Sequence, residues 1–381
     1  MGGDPSGSHA QEFPGVSRSS LRVLCVLLAP EPVPGPRYRV LQYLPLLEQY
    51  GLHCDTMAVL SRTTALRSVS GAAASPMLRV WHWLLMVLET QIGCLRLVWR
   101  LGHYDRVLLY RVALPAWAVP LLRRRRHDLV YDYDDALDAG EGSTLIERMR
   151  QRYLSKSLVR AVSVCAAVST SNSRNAAVVA SLGGKAVVVP TSVDVAAFPR
   201  RTAYTDSVVL GWMGTPSTAR YLAEIEPALH EVLTVRPGVV LRLVGSGANP
   251  FAHLQPELVA WHQEEEIEQL LRFDIGLMPM PDTAWTRGKA ALKALQYGAA
   301  RSPVVASWTS TNEEILGGDT GAILCRTTEE WTSALLALID EPERRRALGE
   351  AAHAHVARRY SIQVNGPRLA AVVASPAGGT P

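Results

Sequence analysis

The hydrophobic positions of the chain form two successive series of alternating strands and helices. Short unbroken apolar runs, typical of strands covered on both faces, alternate with segments of helical periodicity. The strands predicted in the first series are residues 21–28, 54–60, 106–110, 129–133, 166–169 and 186–189. Those of the second series are residues 207–212, 239–244, 275–280, 303–307 and 322–324. This pattern predicts an α/β fold with two Rossmann-like, doubly wound parallel sheets facing each other across a cleft.

Helical periodicity fills most of the intervals between these strands. The predicted helices are residues 38–50, 77–101, 116–123, 145–160, 174–182, 264–271, 329–340 and 342–359, with one ending near 234, a basic one after 280 and an apolar piece at 362–373. Residues 61–76 are small and polar, so they are predicted to form a loop. The series restarts after a join near residues 190–206. The predicted divisions are a disordered extension (1–20), two Rossmann-like domains (21–190 and 191–360) and a C-terminal crossover helix and tail (361–381).

Composition narrows the class of protein. The net charge of +4 over 381 residues is mild, so it calls for no nucleic-acid partner. Five scattered cysteines, without a Cys-x-x-Cys pair or a histidine cluster, predict no metal site and fit a reducing cytoplasm. Segment 77–101 is rich in Trp and Leu but is interrupted by charges. Its apolar stripe fits either packing on the sheet or peripheral contact with the inner face of a membrane, helped by Arg96, Arg100 and the basic run 123–126.

The most informative stretch is residues 273–296. The chain has only four lysines, and two of them, Lys289 and Lys293, lie here beside Arg287. They follow a predicted strand and a Pro/Asp/Thr turn, so the first turns of the next predicted helix carry three cations. A solvated basic surface is one interpretation. However, exposed cations at a helix N-terminus oppose the helix dipole by roughly 0.3–1 kcal/mol each. Such a local conflict is common at functional sites, so we favour a pocket for phosphate or diphosphate.

Other unusual loops follow predicted strands, and the carboxyl ends of parallel strands line a single crevice. In the second series, GWMGTPST carries Gly214, Ser217 and Thr218, which suit a phosphate or a helix cap. Gly245 lies in a turn that could receive a nucleotide base. Glu314 follows TSTN and either faces sugar hydroxyls or belongs to a capped helix start.

The first series has its own candidates at the same edge. Arg37 and Arg39 begin a predicted helix in GPRYR, and Arg111 follows a strand. Arginine forks suit phosphate or carboxylate groups, although a solvated helix start is equally compatible. Asp134 and Asp135 in DYDDA could act in acid/base chemistry, bind sugar hydroxyls or cap a helix.

Taken together, these motifs resemble the retaining glycosyltransferases of family 4, which have the GT-B fold. The resemblance extends from about residue 21 to 373 and rests on PGPRYRVLQYLPLLEQYGL, VVPTSVD, GWMGTPSTARYL, FDIGLMPMPD…RGKAALKALQYGAA…PVVAS…NEEI and RRYSIQ. It implies an acceptor-binding N-terminal domain, a C-terminal domain that holds a nucleotide-diphosphate sugar, and no metal or other cofactor.

The resemblance also implies roles for individual residues. Those implied to contact the donor are Gly214, Ser217, Thr218, Gly245, Arg287, Lys289, Lys293, Gln296 and Glu314. Arg37, Arg39 and Arg111 fall on the acceptor side. Asp134 or Asp135 stands where many relatives place a histidine near the transferred sugar, and both are catalytic candidates with Arg287 and Lys289. The chain departs from the family at its Glu-x7-Glu motif, because Gly288 and Gln296 occupy those two positions.

The predicted function is therefore retaining transfer of a hexose-type sugar to a hydroxyl group of a sugar, lipid-linked or small-molecule acceptor. Envelope glycan and natural-product glycoside synthesis both fit. A nucleotide-sugar epimerase on the same fold is an alternative within catalysis. The missing glutamates leave room for a non-catalytic, nucleotide-binding scaffold subunit, against which the retained basic residues argue.

Overall fold

A computed structural model describes residues 20–31, 33–69, 76–140, 142, 144–200 and 207–375. Its first sheet consists of parallel strands in the order β2-β1-β3-β4-β5-β6. These are β1 Leu21–Leu27, β2 Leu52–Ala58, β3 Arg106–Tyr110, β4 Leu129–Tyr133, β5 Ala167–Thr170 and β6 Ala186–Val188. We call residues 20–200 the N-terminal half and residues 207–360 the C-terminal half.

The second sheet is also parallel and lies in the C-terminal half. Its strand order is β12-β11-β10-β7-β8-β9. The strands are β7 Val209–Met213, β8 Val240–Val244, β9 Glu257–Val259, β10 Ile275–Met278, β11 Val304–Ser307 and β12 Ala322–Cys325. The prediction of two doubly wound α/β sheets is thus confirmed. Strand β9 was not predicted, because this edge strand is short and partly exposed and has no apolar run.

Helices cover the sheets. They are α1 Pro34–Arg39, α2 Leu44–Gln49, α3 Arg62–Val69, α4 Pro76–Arg100, α5 Val119–Leu122, α6 Leu145–Val164, α7 Ser173–Ser181, α8 Pro216–Ala219, α9 Glu226–Val235, α10 Glu266–Leu271, α11 Leu292–Ala299, α12 Ser310–Leu316, α13 Thr328–Asp340, α14 Pro342–Arg359 and α15 Ile362–Ala374. Buried aliphatic and aromatic side chains fill both faces of each sheet, which explains the continuous apolar runs of the strands.

Several predicted elements differ from the structure. The single helix predicted at 38–50 is broken into α1, a 3-10 turn and α2, with a proline at the start of α2. The loop predicted at 61–76 contains α3, while residues 70–75 lie outside the described part. Residues 1–19 of the predicted extension, 201–206 of the join and 376–381 of the tail also lie outside it.

The end of the chain returns to the N-terminal half. The backbone N–H of Val193 donates to Tyr360, and that of Ile362 donates to Val193 (2.9 and 3.1 Å). From there α15 packs on the first sheet, where Gly366 lies against Leu46 so closely that an added Cβ would come within 1.9 Å of it. The two halves are therefore joined at two adjacent passages of the chain. The domain limits at 190 and 360 stay predictions.

Candidate active site

The two site lysines lie on a loop between β10 and α11, residues 279–291, and in the first turn of α11. The prediction that a single helix carries Arg287, Lys289 and Lys293 is wrong, because α11 begins only at Leu292. Before it, Thr283 and Thr286 exchange side-chain-to-backbone hydrogen bonds of 2.9 and 3.2 Å. Threonine side chains that bond to nearby backbone in this way compete with helix formation. We call residues 279–291 the lysine loop.

Lys293 projects from α11 towards the start of α8. Its Nζ donates to Oγ1 of Thr218 (3.2 Å) and lies 4.7 Å from the centre of the Trp212 ring. Among the residues that the structure describes, no carboxylate lies within ion-pair distance of this ammonium group. Burial, reinforced by the charge of Lys289, lowers the pKa of Lys293 to about 7. A partly buried cation without a counter-ion is a preformed site for an anion.

One glycine turn packs against this lysine, and a second glycine turn packs against the first. A Cβ on Gly214 would come within 2.7 Å of the Lys293 side chain and 2.6 Å of the Trp212 ring. Gly245 has φ of +77°, and a Cβ there would lie 2.4 Å from the carbonyl oxygen of Gly214. Ser217 bonds to the Thr215 hydroxyl at 2.9 Å. The structure thus brings together Gly214, Gly245, Thr218 and Lys293, with Ser217 one residue before Thr218.

Lys289 faces the N-terminal half. Its Nζ lies 3.8 Å from Oδ1 of Asp135 and 4.9 Å from the centre of the Trp285 ring. Arg111 bonds to Asp135 (2.7 Å) and Asp134 (3.3 Å), and Tyr110 donates to Asp134 (2.9 Å). Arg111 adopts a left-handed backbone with φ of +52°, an uncommon conformation for a non-glycine residue.

The two neighbouring carboxyl groups differ in their electrostatics. Burial and the charge of Asp135 raise the pKa of Asp134. The pKa of Asp135 is lowered instead: burial opposes ionisation, but Lys289 and Arg111 outweigh it. Pairs of acids whose pKa values are pushed apart are typical of sites that use one as a proton donor and the other as a charge.

Arg287 does not join the two lysines in this structure. Its guanidinium forms two hydrogen bonds of 2.8 Å with Asp282, and its side chain is 49% exposed. Among the described residues, its charged partner is therefore Asp282 of the same loop. The role of Arg287 in the anion pocket stays a prediction.

The lysine loop is attached to the N-terminal half. Asn175 and Asn172 donate to the carbonyl oxygens of Gly288 and Lys289 (3.0 and 3.1 Å). A Cβ on Gly288 would lie 2.4 Å from that of Ala136. A glutamate at position 288 would therefore clash with the N-terminal half. The close approach of the two halves explains why this chain carries glycine there.

Glu314 also reaches across the cleft. Its carboxylate accepts hydrogen bonds from the hydroxyl and the backbone N–H of Ser173 (2.5 and 3.2 Å). It therefore lies at the start of α7, and α12, on which it sits, is capped by Thr309. In this arrangement the carboxylate serves as a link between the halves.

Gln296 belongs to a second, buried contact between the halves. Its amide donates to the Tyr38 hydroxyl (2.8 Å) and to Glu266 (3.1 Å). Glu266 also accepts from Tyr38 (2.5 Å), from Arg37 (2.6 Å) and from the Trp261 indole (2.9 Å). Arg37, an acceptor candidate, is thus paired with a carboxylate of the C-terminal half.

Arg39 is 3% exposed and forms a two-pronged ion pair with Asp132 (2.5 and 3.0 Å). It also donates to the backbone of Val189 at 2.7 Å. The expectation that Arg39 contacts an acceptor does not fit this packing, since its guanidinium is occupied in the interior. Arg111, the third acceptor candidate, is likewise occupied by its two carboxylates.

Sequence reasoning missed the polar residues that hold the halves together. Asn172 and Asn175 follow β5, and a strand-end position was their only signal. Glu266 stands in a run of three glutamates that resembles a solvated helix start. Within the described residues, no group of three His, Cys, Asp or Glu side chains could hold a metal ion.

Searching the described helices for one that could cross a bilayer yields none of sufficient length and apolar character.

Comparison with known proteins adds to this geometry. No protein-family model matches the chain. Solved structures share its architecture: sucrose-phosphate synthase from Thermosynechococcus elongatus superposes with a TM-score of 0.66 at 11% identity, covering 92% of this chain and 98% of that one. Anabaena Alr3699/HepE in complex with UDP and glucose gives 0.63 at 13% identity, covering 93% and 100%. The chain has the GT-B fold.

One curated relative matches by sequence. It is the GDP-mannose-dependent monoacylated alpha-(1-6)-phosphatidylinositol monomannoside mannosyltransferase of Corynebacterium glutamicum, 26% identical over 215 residues. The match covers 49% of this chain and 55% of the relative, so it spans about half the length of that protein. The identities of the structural neighbours are low enough that their likeness concerns the fold.

Proposed function

We propose that the chain is a metal-independent glycosyltransferase of the family 4 type, which moves a hexose-type sugar from a nucleotide-diphosphate donor to an acceptor hydroxyl with retention of configuration. The observation that carries this proposal is the pair Lys289 and Lys293. Lys289 lies beside Asp135 of the N-terminal half, and Lys293 has no carboxylate partner among the described residues. The similarity to a GDP-mannose-dependent transferase and to a UDP-bound protein supports a nucleotide-sugar donor.

The donor diphosphate would bind between the lysines and the glycine turn at Gly214. Breaking the bond between the sugar and the diphosphate develops negative charge on the leaving oxygens. Two cations fixed in a closed cleft stabilise that charge more in the transition state than in the ground state. Thr218, whose hydroxyl accepts a hydrogen bond from Lys293, would lie next to the phosphates.

Asp135 is our candidate for the carboxylate that orients the transferred sugar. In relatives the first glutamate of Glu-x7-Glu stands at the position of Gly288, and here Ala136 fills the space beside that glycine. Asp135 directly precedes Ala136 and lies 3.8 Å from Lys289. Its carboxylate therefore approaches the same region from the opposite half. Asp134, whose pKa is raised by burial and by the charge of Asp135, lies beside it and accepts hydrogen bonds from Tyr110 and Arg111.

Retention of configuration arises either from attack on the face that the diphosphate leaves or from two successive inversions through a covalent intermediate. Within the described part of the site, the carboxylates of Asp134 and Asp135 are both engaged by Arg111, so we propose direct same-face attack, with a departing phosphate oxygen taking the proton of the acceptor. The protein's part is to position the donor, supply the two lysine charges and exclude water when the halves close. We propose that the acceptor hydroxyl belongs to an envelope glycan, a lipid-linked sugar or a small natural product.

The test is incubation with a panel of nucleotide sugars that includes GDP-mannose and UDP-glucose, with nucleotide release as the readout. In binding assays, Lys289→Ala should weaken a nucleoside diphosphate by about 10- to 100-fold, the range for losing one charged hydrogen bond, and leave the nucleoside almost unchanged. Lys185→Ala, which removes an exposed lysine elsewhere, is the matched control. Equal loss for diphosphate and nucleoside would contradict the phosphate assignment.

A non-catalytic, nucleotide-binding scaffold is the second candidate, and the replacement of both family glutamates favours it. The same panel separates the two: a scaffold would bind nucleotide diphosphates yet release no nucleotide from any sugar donor. For an active enzyme, the anomeric configuration of the product, compared with that of the donor by NMR, tests retention.

A further inference from the structure

Helix α4 presents an apolar stripe to the outside of the molecule. Large hydrophobic side chains recur at intervals of three or four residues along its 25-residue length. The exposed members of this stripe are Met77, Trp81, Leu84, Leu88, Ile92, Leu95 and Trp99. At 100° per residue they share one face over about 33 Å of helix. Two of them, Trp81 and Trp99, are 60% and 79% exposed.

The opposite face of α4 is the one that packs on the protein. Thr90, Gly93, Cys94 and Leu97 are buried, and a Cβ on Gly93 would come within 2.8 Å of Val59. The sheet therefore satisfies one apolar face of the helix and leaves a second one uncovered. Continuous apolar surface of this kind marks an interaction site. The sequence alone left sheet packing and membrane contact as alternatives for a single stripe. In the structure the face that packs on the protein and the exposed apolar face are different faces of the helix.

Cations border the stripe. Arg96 and Arg100 directly follow Leu95 and Trp99 in sequence and are exposed. Beside the end of the helix lies the 3-10 segment Arg123–Asp128, which Arg125 ties to the backbone of Leu101 (2.9 Å). Arg123, Arg124 and Arg126 of this segment are exposed.

The apolar surface also widens towards this segment. The Trp117 indole donates to Gln91 of α4 at 2.7 Å. Trp117 and Leu121 are each 38% exposed, and they add to the hydrophobic area between α4 and the arginines.

We infer that this surface, α4 with the segment 117–126, docks on an anionic lipid bilayer, with the helix lying in the plane of the interface. The leucines and tryptophans would enter the boundary between headgroups and acyl chains, and the arginines would contact lipid phosphates. The proposal rests on this surface alone and does not depend on the transferase activity.

A second copy of the chain fits this face less well. The only acidic residue of α4 is Glu89. Its carboxylate is held by Ser61 and Thr64 at 2.8 and 2.9 Å. An antiparallel helix pair would therefore bring arginines opposite a face that offers no carboxylate to pair with them. An anionic surface matches both the apolar stripe and its basic border.

The experiment measures co-sedimentation of the full chain with phosphatidylcholine vesicles, with and without phosphatidylglycerol. We expect binding to the anionic vesicles, weakened by salt. Leu88→Glu should reduce it by about tenfold or more. Arg123→Gln with Arg124→Gln should reduce it by about 30-fold, at roughly 1 kcal/mol per arginine. Leu182→Glu, the same change at another exposed leucine of the N-terminal half, is the matched control and should have no effect.

A second measurement uses the wild-type protein first and needs only one conservative variant. Lipids brominated near the headgroup end of their chains should quench tryptophan fluorescence of the wild-type protein, and Trp99→Phe should lose part of that quenching. No binding to either vesicle would overturn the proposal. So would equal binding to neutral and anionic vesicles, or a dimer in light scattering that Leu88→Glu dissociates while vesicles stay unbound.

Discussion

The lowered pKa of Lys293 predicts that the affinity for a nucleotide donor depends on pH. Burial and Lys289 lower its pKa to about 7, well below the ordinary value for lysine. Above pH 7 the free protein therefore holds this amine mostly neutral. A bound diphosphate restores the charge, because an adjacent anion favours the ammonium form. Donor binding above neutrality should thus take up a proton.

The magnitude follows from the pKa. With a value near 7, about 0.9 of the Lys293 side chains are neutral at pH 8, so binding should take up close to one proton there. If only the charged form binds tightly, affinity should fall by about 25-fold between pH 6.5 and 8.5. The second ionisation of the phosphate, near pH 6, is complete at pH 8 and does not obscure the lysine.

Isothermal titration calorimetry of a nucleoside diphosphate at about pH 8, in buffers of different ionisation enthalpy, counts the protons exchanged on binding. Lys293→Met should abolish the uptake, and Lys185→Met should leave it intact. The reasoning is refuted if the wild-type protein takes up no proton at this pH, or if Lys293→Met takes up as many as the wild type.

The same shift affects stability, and its sign can be worked out. Between pH 7 and about 10.5 the unfolded chain binds a proton that folded Lys293 does not, so the free energy of unfolding rises with pH across this window. Below pH 7 the cost of burying the charge is fully present. Removing it by Lys293→Met should raise the unfolding free energy by roughly 2–4 kcal/mol near pH 6.5, after allowance for partial exposure. Urea denaturation of the wild type and of Lys293→Met at pH 6.5 and at pH 8.5 measures this difference in unfolding free energy.

Three further predictions concern the interior and the contact between the halves. Arg39→Met leaves Asp132 buried without its partner and should cost about 3–5 kcal/mol of unfolding free energy in urea denaturation, against no measurable change for an exposed arginine. Glu266→Gln weakens the contact with Arg37 and Tyr38, so small-angle scattering should report a larger radius of gyration; an unchanged radius would count against it. Gly288→Glu, which restores the family residue, should lower nucleotide release because its side chain clashes with Ala136, and activity equal to wild type would contradict that packing.

Much of the fold could be predicted because it depends on local periodicity. Strands β3 and β4 begin and end at the predicted residues, since buried parallel strands appear as unbroken apolar runs. The break between α1 and α2 was missed, because the apolar spacing of residues 38–50 continues through a proline that begins a new helix. Edge strand β9 has too little burial to leave a pattern.

The candidate site was only partly accessible to the same reasoning. Scarcity of lysine singled out Lys289, which lies beside Asp135 of the other half, and Lys293, which has no carboxylate partner among the described residues. Their role in binding stays a prediction. Arg287 was grouped with them by sequence distance, whereas in the structure its guanidinium pairs with Asp282 of its own loop. Glu266 gave no signal, because its burial depends on Arg37 and Tyr38, more than two hundred residues away. Contacts between distant segments leave no local trace.

The side-chain amides of Asn172 and Asn175 donate hydrogen bonds to the backbone of the lysine loop, and these bonds hold the two halves together at this point. In the proposed transferase, a hinge motion that opens the cleft to release nucleotide would break these hydrogen bonds, and re-forming them would bring Lys289 and Lys293 back over the next donor. The rate of release would then depend on two neutral side chains outside the proposed donor site. Asn172→Ala or Asn175→Ala should each speed nucleotide release by about fivefold, at roughly 1 kcal/mol per neutral hydrogen bond, and leave the chemical step unchanged.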